Sequence, residues 1–426
     1  MTSPLPTAGG DGAHRAIEAV WRIESARVVA ALARMTGDVG LAEDLAQDAL
    51  VAALERWPQT GVPDNPGAWL TATAKNRGLD ILRRDRTLRR KTEEIGRDTE
   101  MRQREEPDLA GAMDEAAIGD DLLALIFTCC HPVLSREAQV ALTLRLLGGL
   151  TTAEIARAFL TPEPTIGQRI SRAKKTLSTE RVRFETPAGA ELDARLGVVL
   201  AVVYLIFNEG HSASGGDAWV RPTLCEEAMR LGRILVALAP DAPEAHGLLA
   251  LMELQASRLR ARVGRDGRPV LLLDQDRGRW DRLLITRGLA SLARAEELGG
   301  SFGPYTLQAA LAACHARAGT AEETDWGRIA AIYGVLGRVS PSPVVELNRA
   351  VAVSMAEGPE AGLALADPLL SEPALAGYHL LPAARADMLA RAGRTGEARD
   401  ELERAASLAQ TERERRLLRA RAAGLD

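Results

Sequence analysis

Apolar residues recur at steps of three and four along most of the chain, and this spacing is typical of one face of an α-helix. The pattern starts at Ala13 and predicts a first helix that contains Ile17, Val20, Trp21, Val28 and Leu32. It predicts a second helix from Leu41 to Trp57 and a third from Ala68 to Arg90. Between them, the segment PQTGVPDNPG (58–67) is dense in turn-forming residues, which predicts a loop.

Polar and apolar stretches also suggest how the chain is divided. Residues 1–12 are rich in Pro, Gly, Ser and Thr, and 92–119 are polar and acidic with few large apolar side chains. After 187 the chain is rich in Ala and Leu, with short Gly/Pro turns, which predicts tandem helix–turn–helix units of a tetratricopeptide-like (TPR-like) solenoid or an irregular bundle. We therefore predict an all-α chain with five segments: a disordered leader (1–12), a helical domain (13–91), an acidic linker (92–119), a second helical domain (120–186) and a helical extension (187–426).

Composition and charge narrow the class of protein. Apolar residues make up 46% of the 426 residues and aromatic residues only 4%, a balance that favours packed helices. The longest apolar run, Leu196–Phe207, is too short to cross a bilayer, and the N-terminus lacks the layout of a signal peptide. Four cysteines do not form a disulfide framework in a chain this long. We expect a cytoplasmic protein that does not enter membranes.

Residues 150–177 carry the pattern of a helix-turn-helix. Thr151 and Glu154 form the sequence signature of a capping box, and TPEP (161–164) separates two short helices. The second helix has a predicted buried stripe of Ile166, Ile170, Ala173 and Leu177. Its polar and basic residues can contact bases and phosphates in a major groove, namely Thr165, Gln168, Arg169, Arg172, Lys174 and Lys175. An ordinary helical hairpin with a solvated basic face is the alternative.

A second basic segment, 64–91, contains eight basic and three acidic residues. Trp69, Thr73, Asn76, Asp80 and Arg83 share one stripe of the predicted helix. Aromatic and amide groups among arginines can stack on bases while the arginines hold phosphates. The alternative is a solvated amphipathic helix in which Trp69 belongs to the core.

Just before this segment, GLAEDLAQDAL (40–50) predicts an acidic helix face formed by Glu43, Asp44, Gln47 and Asp48. Paired carboxylates can bind a metal ion or act as acid and base. No His or Cys lies nearby, and no Gly-rich phosphate loop is present, so we favour a surface that docks on another protein.

These segments, in this order, resemble a bacterial sigma factor of the extracytoplasmic-function class. AEDLAQDAL resembles region 2.2 of that family, and AWLTATAKNRGLDILRR resembles regions 2.3 and 2.4. TIGQRISRAKKTL (165–177) resembles region 4.2. YLIFNEG, IFTCCHP, LLDQDRGRWD and SPVVELNRAVAV resemble a subgroup that carries a long helical, TPR-like C-terminal extension.

The resemblance implies a non-enzymatic protein that directs transcription initiation from particular promoters. It implies that the acidic face docks on the β′ clamp helices of core RNA polymerase, with further contacts to the β subunit. It also implies that region 4 reads the −35 element of promoter DNA and that region 2 captures the melted −10 element. The residues implied for the −10 element are Trp69, Lys75, Asn76, Arg77, Asp80, Arg83 and Arg84.

The extension has an implied regulatory role and can hold a protein partner or regulator. We expect the YLIFNEG motif to contribute to the contact between the extension and the sigma core, through Tyr204, Phe207, Asn208, Glu209 and Gly210.

Three other classes of protein remain as alternatives. Asn208, Glu209 and His211 suggest a hydrolase, and Cys129-Cys130-His131 suggests a zinc site, but neither has the residue spacing that such chemistry needs. We therefore expect no catalytic residue, metal or cofactor, and expect both cysteines to be buried. A helix-turn-helix repressor with a TPR-like sensor is the second alternative, and a TPR scaffold with an incidental hairpin is the third.

Overall fold

The computed structural model describes residues 10–93, 115–159, 161–211, 221–264, 269–409 and 412–425. These residues form α-helices and short 3-10 turns, and their β-type pairing is limited to one isolated bridge between Val263 and Pro269. The prediction of an all-α chain is therefore confirmed. No helix among the described residues combines the length and apolar character needed to cross a membrane.

The chain packs as two compact units, residues 1–209 (the N-terminal unit) and 210–426 (the C-terminal unit). The N-terminal unit contains α1 (Gly10–Thr36), α2 (Val39–Thr60), α3 (Pro66–Glu93), α4 (Glu115–Cys129), α5 (Arg136–Leu146), α6 (Thr152–Ala158), α7 (Glu163–Thr179) and most of α8 (Ala190–His211). Within it, α1 packs against α2, α3 and α4, and α7 packs against α2, α5 and α6.

The first three helices agree with the predicted ones except at their ends. The second helix continues through Pro58 to Thr60, so the loop spans only 61–65 rather than 58–67. Proline is tolerated there because it forfeits a single backbone hydrogen bond in the last turns of the helix. Gly61 then ends α2 with a positive φ of 83°, and its N–H donates to the Trp57 carbonyl oxygen at 2.9 Å.

Other helix ends also differ from the predicted ones. Helix α1 begins at Gly10, within the segment predicted as a disordered leader, and 1–9 lie outside the described residues. Helix α4 begins at Glu115 rather than Asp120. Between α3 and α4, residues 94–114 of the predicted linker also lie outside the described part of the chain.

The C-terminal unit is a succession of paired helices. Helix α10 packs against α9, α11 and α12, and later pairs include α13 with α14 and α16 with α17. Gly393, with a positive φ of 77°, lies in the turn between α16 and α17. The helices are α9 (Pro222–Leu238), α10 (Pro243–Ala256), α11 (Arg282–Glu297), α12 (Pro304–Arg317), α13 (Trp326–Val339), α14 (Pro343–Glu357), α15 (Pro359–Ala366), α16 (Leu380–Arg391), α17 (Thr395–Leu408) and α18 (Glu412–Ala423).

Candidate nucleic-acid interface

The helix-turn-helix consists of α6 and α7, and local sequence determines where each begins. Thr151 is the N-cap of α6, and its hydroxyl accepts a hydrogen bond from the Glu154 backbone N–H at 3.2 Å. The Glu154 side chain accepts one from the Thr151 N–H at 2.8 Å, which completes the predicted capping box. Helix α7 begins at Glu163 with Pro164 as its second residue. Proline suits the first turn of a helix because its missing N–H would have no partner there.

Helix α7 has one apolar edge and one polar edge. Ile166, Ile170, Ala173 and Leu177 are all buried, as the spacing predicts. Among the candidate DNA contacts of this helix, the exposed ones are Thr165, Gln168, Arg172 and Lys175. These four present the amide, hydroxyl and cationic groups that a recognition helix uses on base edges and phosphates.

The remaining two candidates on α7 are partly buried. Arg169 lines a cavity of about 320 Å³ between α5, α6, α7 and α8, whose lining also includes Glu137, Phe159 and Leu205. The side chain of Lys174 is only 20% exposed, because it contacts α2 rather than solvent.

Helix α3 begins at an Asx cap and an aromatic contact. The Asn65 side chain accepts a hydrogen bond from the Ala68 N–H at 3.0 Å. Trp69 is half-buried, and its ring lies edge-on to the buried Trp57 ring with 5.3 Å between the centroids. Trp69 therefore packs on the core at one edge and keeps part of its surface accessible beside the 61–65 loop.

The other candidate DNA contacts of α3 differ in exposure. Asn76, Arg77 and Asp80 are exposed. Lys75 is half-buried, and burial lowers its pKa although the Asp121 charge opposes that shift. Arg83 and Arg84 lie on α3, but their side chains are outside the described residues.

The predicted acidic face of α2 is divided into exposed and buried parts. The side chains of Asp44 and Asp48 are 75% and 55% exposed. Asp48 pairs with Arg77 of α3, with 3.0 Å between the carboxylate oxygen and Nη1. Gln47 is half-buried and donates from Nε2 to the Glu43 carboxylate at 2.7 Å. Only the two aspartates are therefore available to another molecule in this arrangement.

Glu43 itself is buried, with a residue exposure of 5%. Its Oε1 accepts from Arg145 Nε of α5 at 2.6 Å, and its Oε2 forms an ion pair with Lys174 Nζ of α7. Burial alone would raise the pKa of Glu43, but the hydrogen bonds and charges of Lys174 and Arg145 lower it below its ordinary value. The carboxylate is therefore held in its charged form.

Sequence reasoning did not identify Arg145, Arg34 or Asp121 as parts of this region. Arg34 of α1 and Asp121 of α4 form an ion pair with 2.5 Å between Nε and Oδ1. Each of these residues lies beside an apolar stripe of its helix. The sequence pattern alone does not show which distant helix its side chain contacts. A buried position for Asp121 could only have been suspected from its place at the start of an apolar run.

The YLIFNEG motif forms the last two turns of α8. Phe207 and Gly210 are buried, and Tyr204, Asn208 and Glu209 are partly exposed. Burial raises the pKa of Tyr204, against a hydrogen bond with Asn208. A Cβ on Gly210 would lie 2.7 Å from the Cys225 backbone nitrogen, so this position requires glycine. The motif's role in the contact between extension and core stays a prediction.

The residues that suggested an enzyme or a zinc site are found in different surroundings. Cys129 and Cys130 are buried, as expected, and burial raises the pKa of both thiols, that of Cys130 to about 11. His211 is buried beside Arg262, and burial and that charge lower its pKa to about 2. Within the described part of the chain, no group of three or more His, Cys, Asp or Glu side chains is arranged to hold a metal ion.

Comparison with known families agrees with this arrangement of helices. Sigma-70 region 2 matches residues 22–87, Sigma-70, region 4 matches 124–177, and a family of unknown function (DUF6596) matches 195–296. The first match covers the acidic and basic faces of α2 and α3, and the second covers the helix-turn-helix. The third begins on α8 and continues into the C-terminal unit.

Two relatives extend the comparison. An uncharacterized protein of Rhizobium meliloti (strain 1021), R00370, is 45% identical over 384 residues, which are 90% of this chain and 89% of that protein. The probable ECF RNA polymerase sigma factor SigI of Mycobacterium tuberculosis, in two strains, is 27% identical over 40% of this chain and 57% of SigI. No solved structure matches the chain.

The fold and the two matched regions define a sigma-70 type transcription factor. Together with the likeness to SigI, they support an extracytoplasmic-function sigma-70 factor with a long helical C-terminal extension.

Proposed function

We propose that the chain binds core RNA polymerase through α2 and reads promoter DNA through α3 and α7, while its C-terminal extension regulates that activity. The single observation that carries the proposal is α7. Its buried stripe is packed in a helix-turn-helix, and Gln168, Arg172 and Lys175 are exposed along its other edge. These side chains match the chemistry of −35 recognition, in which arginine and glutamine bind base edges and lysine binds phosphate.

For the −10 element, the proposal rests on α3 and the 61–65 loop. Asn76 and Arg77 are exposed, and Trp69 keeps part of its ring accessible next to the loop. A base taken out of the stack costs a few kcal/mol, which aromatic stacking and arginine–phosphate contacts can offset. We expect this surface to hold the non-template strand once the duplex opens.

For polymerase docking, the proposal rests on Asp44 and Asp48. They are exposed carboxylates one helical turn apart on α2, so they present a compact negative surface to a basic partner. Two further findings support polymerase docking. The chain matches Sigma-70 regions 2 and 4, and it resembles SigI, which is described as a probable sigma factor.

For the extension, the proposal rests on how α8 is held against the helix-turn-helix domain. Arg195 donates from Nη2 to the Phe127 carbonyl oxygen at 2.9 Å, and its guanidinium carbon lies 5.6 Å from the Phe127 ring centroid. Arg136 donates from Nη1 to the Val198 carbonyl oxygen at 3.3 Å. Helix α8 is the first helix of the extension. We therefore expect a change in the extension to reach region 4 through α8.

Run-off transcription with core RNA polymerase tests the proposal, with pooled DNA from the source genome as template. We expect discrete new transcripts with the protein, and their loss when Asp44→Ala and Asp48→Ala are combined. Asp241→Ala combined with Glu296→Ala is the matched control, because it removes two exposed carboxylates from the C-terminal unit. Salt-sensitive duplex binding without transcripts would favour a repressor and contradict the proposal.

A further inference from the structure

Two helices assigned to different binding partners contact each other in the N-terminal unit. Glu43 lies on α2, whose acidic face is proposed to dock on polymerase, and Lys174 lies on α7, which is proposed to read DNA. These two side chains form an ion pair, and Lys174 Nζ also lies 3.8 Å from Asp44 Oδ1. The contact buries Glu43 almost completely and leaves the Lys174 side chain 20% exposed.

Arg145 strengthens this contact from a third helix. It lies in the last turn of α5, and donates from Nε to Glu43 and from Nη1 to the Leu150 carbonyl oxygen at 3.1 Å. Glu43 therefore pairs with two cations, both from the segment that matches Sigma-70, region 4. A buried carboxylate needs such compensation, since an isolated buried charge is costly.

A separate ionic contact joins the same two regions. Asp121 of α4 is buried and forms its ion pair with Arg34 of α1. Its charge also acts on the half-buried Lys75 of α3, one of the residues implied for the −10 element. Two ion-pair clusters thus join helices of region 2 to helices α4, α5 and α7.

We propose that these two clusters form an autoinhibitory latch, which holds regions 2 and 4 together and masks Glu43 and Lys174 from polymerase and DNA. This inference rests on the proposed function, because it concerns regulation of the same surfaces. Glu43 is buried and the Lys174 side chain is only 20% exposed, so neither can contact polymerase or DNA while this ion pair is closed. Binding therefore requires the latch to open, and apparent affinity falls in proportion to the open fraction.

A disulfide between α2 and α7 tests the latch directly. A Cβ built on Gly40 lies 3.8 Å from the Lys174 Cβ, which is the typical Cβ separation of a disulfide. The full-length Gly40→Cys, Lys174→Cys variant should therefore cross-link under mild oxidation. The four native cysteines are buried and their thiol pKa values are raised, so they should not compete.

The readout is binding of core RNA polymerase to the same variant before and after reduction. We expect the oxidised protein to bind at least tenfold more weakly than the reduced protein. Lys174→Cys alone and Gly40→Ala are the controls for the lost lysine and the added Cβ, and neither should respond to reduction.

The outcomes separate the latch from the proposed function. Failure of the pair to cross-link would show that the contact is absent in solution and overturn the latch. A cross-linked protein that binds polymerase as well as its reduced form would overturn it too. If neither the wild type, the reduced double-cysteine variant nor Arg34→Glu binds polymerase, the proposed function is wrong and the latch falls with it.

Charge reversal at the second cluster gives an independent test that leaves all proposed binding residues in place. Arg34→Glu should oppose Asp121, open the latch and tighten polymerase binding several-fold. Combining it with Asp121→Arg restores an ion pair of reversed polarity and should return the affinity toward that of wild type. Equal affinities for the wild type, the single variant and the double variant would contradict the latch.

Discussion

The N-terminal and C-terminal units each contain a buried glutamate paired with arginine, and the pKa values of the two glutamates shift in opposite directions. Glu43 is 5% exposed and Glu253 is 1% exposed. The pKa of Glu43 is lowered, whereas burial raises the pKa of Glu253 despite its Arg233 partner. Burial alone therefore does not determine the direction in which the pKa of a glutamate shifts.

The difference lies in the number and burial of the partners. Glu43 contacts Arg145 and Lys174, whose side chains are only 22% and 20% exposed. Glu253 of α10 forms its ion pair with Arg233, whose side chain is 41% exposed, and the charge of Arg287 also acts on it. Two partly buried cations bound to Glu43 outweigh its desolvation, whereas the more exposed Arg233 and the charge of Arg287 do not outweigh that of Glu253. Glu43 thus forms ion pairs between α2 and the more distant helices α5 and α7, whereas Glu253 joins the neighbouring helices α9 and α10.

The largest expected effect comes from Glu43→Gln. This change removes the negative charge and leaves Arg145 and Lys174 partly buried without compensation, so it should lower the free energy of unfolding of the N-terminal unit by about 3 kcal/mol. Urea titration with hydrogen exchange of α2 and α7 peptides measures this loss. A loss below about 1 kcal/mol would remove the contrast between the two glutamates.

Acid pH should change the contributions of the two glutamates to the free energy of unfolding in opposite directions. Because the folded-state pKa of Glu43 is lowered, its stabilisation is present above its ordinary pKa and is lost as pH falls through the lowered pKa. The pKa of Glu253 is raised, so protonation as pH falls removes a cost of burying its charge. As pH falls, wild type should therefore lose stability relative to Glu43→Gln and gain stability relative to Glu253→Gln. Urea midpoints of the three proteins across acid pH measure both trends, and trends of the same sign would contradict this account.

Glu253→Gln should change stability by less than about 1 kcal/mol, because Arg233 keeps access to water and the amide retains the shape of the buried group. Hydrogen exchange of α9 and α10 peptides in urea measures the change. A loss as large as that expected for Glu43→Gln would show that the Arg233 pair is as strong as the paired cations of Glu43.

Much of this fold follows from local sequence. The stripe on α7 is buried as its four- and three-residue spacing predicts, and the Thr151–Glu154 capping box starts α6. Both features depend on residues within two turns of one another, where helix geometry relates sequence spacing to position. Helix ends such as Thr60 and Glu115 were less predictable, because packing can extend a helix beyond a proline or a polar segment.

The surroundings of the candidate site were not predictable in the same way. The acidic face of α2 suggested four equivalent docking residues, but Glu43 contacts helices about one hundred residues away while Asp44 and Asp48 are exposed. Helical periodicity shows which residues share a face, and it contains no information about which distant charge meets that face. The same limit applies to Lys174, which α7 orients toward α2 rather than toward solvent.

The smallest expected effect on stability is at the exposed pair of Asp48 and Arg77. Both side chains are about half exposed, so water and salt screen their attraction, and Arg77→Gln should change the free energy of unfolding by only about 0.2–1 kcal/mol. Its effect on DNA should be larger, because an arginine lost from a phosphate-binding surface weakens binding at every sequence and reduces the salt dependence. Single-strand binding at several salt concentrations, beside urea unfolding of the same variant, measures both quantities. Arg294→Gln, which breaks an exposed pair with Glu297 in the C-terminal unit, is the matched control and should leave DNA binding unchanged. Equal DNA binding by the two variants would show that Arg77 serves only its ion pair with α2.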